Sequence, residues 1–325
     1  MSGKATALDA SLRAAEARLL DHLGLTATEQ MITVPAGGRP GSDRMPDEAT
    51  VRVLDIGTGR DHDNKPPVLF LHGIASASAA AFPLMRNLAG RRVLALDWPG
   101  HGLSGKCVLP AGIDIRQHVL AVLRGVLAEL GIKTVDLVGH SLGGQFSLFL
   151  TIAEPERVRR LVLLGAPGGA FPQMRPTAMM RVAAIPGVGT ALLRMPASRR
   201  QYRRNTELML GKGALDRWPD ELAEVGYLAA RRPGFAPSVA SFFRCLATPM
   251  GVRERVTITL ADLAEITVPV LAIWGDDDVF LSPDGAAEPV GAIKNATLVT
   301  VSGGHAPWLD QPDQAGAALA GFLAD

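Results

Sequence analysis

The fold is decided by the stretch Val135-Asp-Leu-Val-Gly-His-Ser-Leu-Gly-Gly144. Its first four residues are mostly apolar and predict a buried strand, and the apolar residues at 142–153 predict a helix. Between them lies the G-x-S-x-G pattern Gly139-His-Ser141-Leu-Gly143. Glycines suit a sharp strand-to-helix turn because side chains there would clash, and the helix N-terminus favours a developing negative charge. The stretch therefore predicts that the hydroxyl of Ser141 points out from the edge of a sheet.

Apolar strands alternate with helices on both sides of this turn. Continuous apolar strands separated by helices indicate a parallel sheet covered on both faces. We therefore predict the α/β class, with a mostly parallel, doubly wound sheet. The predicted strands lie at 68–71, 93–96, 135–138, 161–164, 268–273 and 296–301, and the predicted helices at 79–90, 113–130, 142–153 and 312–323. Before them, an amphipathic helix over 8–23 and strands near 31–34 and 51–56 are expected.

One interval breaks this alternation. About a hundred residues separate the strand that ends near Leu164 from the one that starts near Val268, whereas ordinary connections are only a few residues long. Helical patterns fill the gap, so we predict a helical cap over the end of the sheet. The predicted domains are a core at 50–168 and 264–325, the cap at 169–263, and an N-terminal helix and loop extension at 1–49. The predicted cap helices lie at 176–184, 197–211, 220–230 and 235–247.

The predicted cap is rich in basic residues. Between residues 170 and 262 the sequence contains fourteen Arg or Lys and seven Asp or Glu, an excess of positive charge of 14 − 7 = +7. We favour solvated helix faces as the explanation, and attraction of an acidic substrate or carrier to the mouth of the site is the alternative.

Composition excludes several classes of protein. Of the 325 residues, 47% are hydrophobic, and 33 Lys and Arg balance 32 Asp and Glu. With a formal net charge of +1, no general field attracts nucleic acid or an anionic membrane. The sequence shows no signal-peptide pattern and no run of eighteen apolar residues, so no membrane span is expected. Cys107 and Cys245 have no metal-ligand spacing, and we expect reduced thiols and a cytoplasmic location.

A serine becomes a good nucleophile only when a base and an orienting acid lie beside it. The turn resembles that of the α/β-hydrolases, and this resemblance implies that the acid and then the histidine follow the serine along the chain. His305, in Ser302-Gly-Gly-His305, is the one histidine of the sequence beyond Ser141. The acid falls among three consecutive candidates that follow the penultimate strand, Asp276, Asp277 and Asp278.

With these residues in place, the chain resembles the α/β-hydrolase superfamily over roughly residues 50–325. The resemblance is carried by five motifs: His72-Gly73, Asp97-Trp-Pro-Gly-His-Gly-Leu-Ser104, Gly139-His-Ser-Leu-Gly-Gly144, Gly275-Asp-Asp-Asp278 and Gly304-His305. It implies the α/β-hydrolase fold and a Ser-His-Asp triad.

The resemblance also implies roles for particular residues. The family's G-x-x-D pattern implies that Asp278 is the acid that orients His305. Its His-Gly turn implies that the amide of Ile74 supplies one donor to the oxyanion hole, and the amide of Leu142 supplies the other. Haloalkane dehalogenases and epoxide hydrolases of this fold use aspartate as the nucleophile, so a serine at 141 argues against those reactions.

Two further motifs suggest ligands only superficially. Gly100-His-Gly-Leu-Ser-Gly105 fits G-x-G-x-x-G, but the residues after it do not open a helix, so no nucleotide cofactor is predicted. Asp61-His-Asp63 lacks the ligand spacing of a zinc site, so no metal is predicted either. We expect His72, His101 and His140 to brace backbone turns. Asp97 is expected to fix the Trp98-Pro-Gly-His-Gly turn.

We therefore predict a serine hydrolase that cleaves an ester-like bond of a small, apolar acyl substrate without a cofactor. Ser141 attacks the carbonyl, His305 moves the proton, and Asp278 holds the imidazole. The same residues could instead transfer acyl groups, hydrolyse carbon–carbon bonds or support cofactor-free perhydrolysis. A ligand receptor built on an inactive scaffold is the non-enzymatic alternative.

Overall fold

The structure is a computed structural model that describes residues 3–37, 47–57 and 65–324. Asp61-His-Asp63 and part of the predicted loop at 35–49 lie outside the described residues. The described part of the chain forms β1 (Thr26–Pro35), β2 (Glu48–Gly57), β3 (Val68–Leu71), β4 (Val93–Asp97), β5 (Val135–His140), β6 (Val158–Leu164), β7 (Ala247–Thr248), β8 (Gly251–Val252), β9 (Val270–Gly275) and β10 (Ala296–Val301).

Eight of these strands form one sheet in the order β1-β2-β4-β3-β5-β6-β9-β10. Strand β2 is antiparallel to both β1 and β4, and all other neighbours in the sheet are parallel. Helices join the parallel strands. The prediction of an α/β fold with a mostly parallel sheet is thereby confirmed.

The helices of the described residues are α1 (Gly3–Leu23), α2 (Ile115–Glu129), α3 (Leu142–Ala153), α4 (Ala178–Ala183), α5 (Val188–Arg194), α6 (Arg199–Leu210), α7 (Asp220–Ala230), α8 (Phe235–Leu246), α9 (Leu260–Ala264), α10 (Pro283–Gly291), α11 (Pro307–Asp310) and α12 (Pro312–Ala324). The helix predicted at 79–90 is instead a 3-10 helix, Ser78–Asn87, with Pro83 inside it. Proline lacks the N–H that an α-helix needs at an interior position.

Alternate residues of each central strand pack on opposite faces of the sheet. In β3, Leu69 and Leu71 belong to a buried cluster that includes residues of α2, α3 and α10. Val68 and Phe70 belong to a second cluster with residues of α1 and α12. Because side chains alternate along a strand, a strand buried on both faces has to be apolar at every position. The short runs seen in the sequence have this character.

The segment between β6 and β9 contains α4 to α9 and the β7–β8 hairpin. We call residues 169–263 the inserted segment. Part of it has a small buried cluster of its own, in which Val239 and Phe243 of α8 contact Ala183. Strand β1 pairs with β2 along its whole length, so residues 26–35 belong to the central sheet. The division into core, cap and extension stays a prediction. None of the described helices is both long and apolar enough to span a bilayer.

Candidate active site

Ser141 lies on a strained turn between β5 and α3. Its backbone has φ 52° and ψ −119°, a region that residues with a side chain rarely adopt. A Cβ at Gly139 would lie 2.6 Å from the carbonyl oxygen of Gly143, so the turn closes too tightly for any side chain there. The sequence pattern thus marks a position where the backbone doubles back. The turn places Ser141 directly after β5, at the carboxyl edge of the sheet, and the surrounding structure maintains the strain.

Asp278 and His305 come together from the ends of neighbouring strands. Asp278 follows β9, His305 follows β10, and these two strands are parallel neighbours. The Nδ1 atom of His305 lies 2.8 Å from Oδ2 of Asp278, and both side chains are buried. The hydrogen bond fixes the orientation of the imidazole and leaves Nε2 as the nitrogen that faces away from the carboxylate.

The carboxylate of Asp278 is stabilised as an anion. Burial raises its pKa, but the imidazole of His305 and two backbone donors together outweigh burial and hold the pKa below its ordinary value. The backbone N–H groups of Phe280 and Ala166 also donate to the carboxylate, each over 3.0 Å. An ionised Asp278 can stabilise a positive charge on His305.

The two neighbouring aspartates, Asp276 and Asp277, are exposed to solvent and make hydrogen bonds to Gly303, a residue of a different loop. Oδ1 of Asp276 accepts a hydrogen bond from the N–H of Gly303 over 2.8 Å. The N–H of Asp277 donates to the carbonyl oxygen of Gly303 over 2.9 Å. These bonds join the loop after β9 to the loop that carries His305. Only Asp278, of the three candidates, contacts the imidazole.

Ser141 and His305 lie on the wall of one pocket. The Nε2 atom of His305 is buried and has no hydrogen-bond partner among the described residues. Oγ of Ser141 therefore makes no hydrogen bond to the imidazole, although both residues line the same pocket. Hydrogen bonds of this kind are often long before a substrate binds and tighten in the complex.

The residues implied as oxyanion donors line the same pocket. Leu142 is the first residue of α3, so its N–H has no acceptor within the helix. Ile74 lies in the turn after β3, where Ala75 has the unusual φ of 59°. His72 braces this turn, because Nδ1 contacts the carbonyl oxygen of Gly73 over 2.7 Å and Nε2 accepts from the N–H of Trp98.

Asp97 fixes the turn that follows β4. Its carboxylate accepts hydrogen bonds from the N–H groups of Ser78 and Leu103, over 2.6 and 2.9 Å. The Gly100-to-Gly105 stretch closes on itself, with the N–H of Gly100 donating to the carbonyl oxygen of Gly105 over 2.7 Å. No helix begins there, which agrees with its interpretation as a turn.

Three side chains support the loop that carries His305: His140, which is expected from the sequence to brace a turn, and Trp308 and Asp310, which had no signal in the sequence. Nε2 of His140 lies 3.1 Å from the carbonyl oxygen of His305, and its ring packs on Trp308 with centroids 4.6 Å apart. Burial holds the pKa of His140 well below its ordinary value, so this ring is neutral. Asp310 accepts from the N–H of Gly304 over 2.8 Å. His140, Trp308 and Asp310 fix the loop around His305, but only the folded chain brings them to it.

The pocket has about 660 Å³ of space, including solvent at its mouth. Its wall comes from the turns after β3 and β5 and from the inserted segment. The described residues contain no group of three or more His, Cys, Asp or Glu side chains arranged to hold a metal ion. The lining residues are Gly73, Ile74, His140, Ser141, Leu142, Gly168, Gly169, Met174, Pro176, Met180, Met209, Leu210, Phe243, Leu246, Ala247, Val252, Phe280 and His305.

Comparison with known proteins gives a family match over most of the chain. A model described as the alpha/beta hydrolase family matches residues 68–319. A 2-hydroxymuconate semialdehyde hydrolase from Pseudomonas putida is 33% identical over 266 residues, which cover 80% of this chain and 87% of that protein.

Two further similarities extend this result. A 2-hydroxy-6-oxononadienedioate/2-hydroxy-6-oxononatrienedioate hydrolase from Cupriavidus pinatubonensis is 30% identical over 258 residues, or 77% of this chain and 82% of that protein. The crystal structure of a carboxylesterase from Bacillus subtilis has a TM-score of 0.69 and 20% identity, and the match covers 97% of this chain and 98% of that one. At that identity the structure supports the fold alone.

Proposed function

The chain belongs to the alpha/beta hydrolase family and is a hydrolase of that type, and from this premise we propose that it hydrolyses a bond to a carbonyl carbon through Ser141. The observation that carries the proposal is the shared pocket wall, which contains both Ser141 on its strained turn and His305, whose imidazole is hydrogen-bonded to the buried Asp278. This arrangement is suited to making a serine hydroxyl nucleophilic.

In the proposed reaction, Oγ of Ser141 attacks the carbonyl carbon while Nε2 of His305 takes its proton. The oxyanion accepts hydrogen bonds from the amides of Ile74 and Leu142, each contributing about 3 kcal/mol to lowering the barrier. His305 then passes the proton to the leaving group as the bond breaks. Water, deprotonated by His305, then attacks the acyl carbon, and His305 returns that proton to Oγ of Ser141 as the acid is released.

A carbon–carbon bond next to a ketone or aldehyde is the first candidate for the bond that breaks. The relatives from P. putida and C. pinatubonensis are named as hydrolases of a semialdehyde and of 6-oxo dienedioates and trienedioates. Compounds with those names contain no ester or amide, so their hydrolysis breaks a carbon–carbon bond. The leaving carbanion is tolerable when it is conjugated with a second carbonyl, and His305 would supply its proton.

An ester is the second candidate, and the composition of the pocket favours it. Beyond Ser141 and the two histidines, the side chains that line the described pocket are apolar. A neutral acyl ester needs no more than this, because its carbonyl oxygen is held by two backbone amides and its acyl chain by apolar contacts.

We also propose that the inserted segment is a cap over the site. Three of its methionines and Phe243 supply pocket wall above the edge of the sheet. A cap of this kind excludes water from the reacting carbonyl and thereby strengthens the electrostatic stabilisation of the oxyanion.

The role of Ser141 is tested with an alkyl fluorophosphonate probe, which reacts with activated serines. We expect labelling of the wild-type protein at Ser141 and none of Ser141→Ala. A folded wild-type protein that resists the probe would contradict the proposed function.

The bond that breaks is tested by giving the protein 2-hydroxy-6-oxo-2,4-heptadienoate and, separately, p-nitrophenyl esters of increasing acyl length. Formation of acetate from the dienoate, at a kcat/KM above that for every ester, supports the first candidate. Turnover of the esters with an inert dienoate supports the second. Ser141→Ala is the blank for both.

A further inference from the structure

We infer that the pocket beside Ser141 binds an uncharged, apolar part of the substrate and rejects a carboxylate. This inference deepens the proposed function, since it concerns the substrate class of the same site. It separates this chain from the relatives named above, whose printed substrates are carboxylates. It therefore predicts that the dienoate of the preceding test is a poor substrate, and that any carbon–carbon bond cleaved here lies next to an uncharged ketone. The inference rests on the wall of the pocket and on where the nearby cations are engaged.

The wall is formed by flexible and aromatic apolar side chains from separate parts of the inserted segment. Met174 precedes α4, Met180 lies on α4, and Met209 lies on α6. Phe243 of α8 and Phe280 of the core complete the surface around His305, and the ring of Phe280 lies edge-on to the imidazole with centroids 4.4 Å apart. Thioether side chains adapt to the shape of an apolar group, so this wall suits alkyl or aryl substituents.

The lining residues include no Asp, Glu, Lys or Arg. The titratable side chains on the wall are the two histidines. His140 is held neutral by burial, and its Nε2 is engaged by the backbone of His305. His305 already pairs with the carboxylate of Asp278. A substrate carboxylate in this pocket would therefore lie beside Asp278–His305 without a cation of its own.

Three basic residues of the inserted segment have partners within that segment, whereas the side chain of Arg175, between the lining residues Met174 and Pro176, is exposed. Arg199 pairs with Glu224 over 2.8 Å, and Arg203 pairs with Asp216 and Asp220 over 2.9 and 3.0 Å. Arg181, the basic residue nearest in sequence to Met180, donates from Nε to the carbonyl oxygen of Pro176 over 3.3 Å. These three side chains are not among the lining residues of the pocket. The interpretation of the basic excess as solvated helix faces stays a prediction.

The energetic consequence follows from desolvation. Moving an ionised carboxylate from water to an apolar site without a partner is strongly unfavourable, whereas an alkyl group gains from the same transfer. Two ligands that differ only by a terminal methyl or carboxylate should therefore bind with very different affinities.

The test uses valerophenone and 5-oxo-5-phenylpentanoate, which differ in that way and contain no ester. Binding to the wild-type protein is measured by isothermal titration calorimetry at pH 7.5. We expect valerophenone to bind with a Kd below about 1 mM and the carboxylate at least about 100-fold more weakly. Equal affinities, tighter binding of the carboxylate, or no binding of valerophenone would overturn the inference.

A variant with a new cation tests the cause. Met209 is half-buried at the pocket, so the stem of a lysine can follow the wall while its ammonium reaches water. Met209→Lys should narrow the affinity gap between the two ketones by about tenfold. Met31→Lys is the matched control, because Met31 is on β1, four strands from β5 in the sheet, and it should leave the gap unchanged. An unaltered gap in Met209→Lys would contradict the inference.

These measurements are independent of catalysis. If the fluorophosphonate fails to label Ser141 but valerophenone binds with the expected preference, the proposed function fails and the pocket's selectivity stands. If Ser141 is labelled but the carboxylate binds as well as the neutral ketone, the proposed function stands and the inferred selectivity of the pocket fails.

Discussion

At the scale of single residues, burial separates Asp276 and Asp278, two side chains of identical chemistry. Asp278 is 6% exposed and receives hydrogen bonds from His305, Phe280 and Ala166. Asp276 is exposed and receives one from Gly303. Charge on Asp278 stabilises a protonated imidazole directly, whereas Asp276 acts on the loop that carries it.

This difference predicts unequal effects of two matched substitutions. Asp278→Asn should lower kcat by about 10⁴-fold, because an amide favours the wrong tautomer of His305 and cannot stabilise its positive form. Asp276→Asn keeps a hydrogen-bond acceptor for Gly303, and we expect a loss within about tenfold. Both values of kcat are measured by steady-state kinetics on whichever of the dienoate and the p-nitrophenyl esters has the highest kcat/KM. A larger loss of kcat for Asp276→Asn than for Asp278→Asn would contradict the assignment of Asp278 as the acid.

At the scale of secondary structure, helix α1 is joined to the sheet by a buried cluster of charges. Arg52 of β2 makes a two-pronged contact with Glu16 of α1, over 2.6 and 2.9 Å. The same guanidinium lies 3.3 Å from Asp97 at the end of β4 and 2.9 Å from Glu29 of β1. Arg52, Glu16 and Asp97 are almost completely buried, so each charge depends on the others for its solvation.

Removing the cation should therefore destabilise the whole assembly. Arg52→Ala leaves the buried carboxylates of Glu16 and Asp97 without their cation, and we expect the free energy of unfolding to fall by about 3–5 kcal/mol. Arg18→Ala, which breaks the half-exposed pair with Glu224 on α7, should cost about 1 kcal/mol or less. Urea unfolding followed by circular dichroism measures both. Equal losses would mean that the buried cluster contributes no more than a surface pair.

At the scale of the whole molecule, one arginine connects the inserted segment to two parts of the remaining chain. Arg232, between α7 and α8, makes a two-pronged contact with Asp9 of α1 over 2.7 and 3.1 Å. It also donates to the carbonyl oxygens of Gly102 and Ser104, over 2.6 and 3.0 Å. These contacts hold the inserted segment against α1 and against the turn after β4.

Loss of this connection should loosen the inserted segment more than the sheet. We expect Arg232→Ala to lower the free energy of unfolding by about 2 kcal/mol and to speed amide hydrogen exchange in α7 and α8 while β5 and β6 stay protected. Its neighbour Arg231 is exposed and contacts Tyr227 of its own helix, so Arg231→Ala should cost below about 1 kcal/mol. Uniform acceleration of exchange throughout the protein would contradict a local role for Arg232.

Local sequence patterns predicted the secondary-structure elements well where the spacing of the apolar residues and the apolar character of the segment both indicate the same element. The helix predicted at 142–153 and the strand predicted at 296–301 have the bounds found in the structure. Local patterns did not predict α10, Pro283–Gly291, which contains two prolines and two glycines. Those residues have low helix propensity, and burial of Ala286 and Val290 against the sheet compensates for it.

The sequence by itself determined the class of fold and the sharp turn at Ser141. Both depend on residues close together in the sequence. The period of the apolar side chains indicates the class of fold, and the glycines indicate the tight turn. Only the tertiary structure decided which of three aspartates contacts His305, which side chains hold its loop, and that the wall around Ser141 is apolar. Those features join residues that are separated along the chain, by 27 positions for Asp278 and His305 and by 165 for His140 and His305. Burial, which sets their charges and contacts, exists only once the chain has folded.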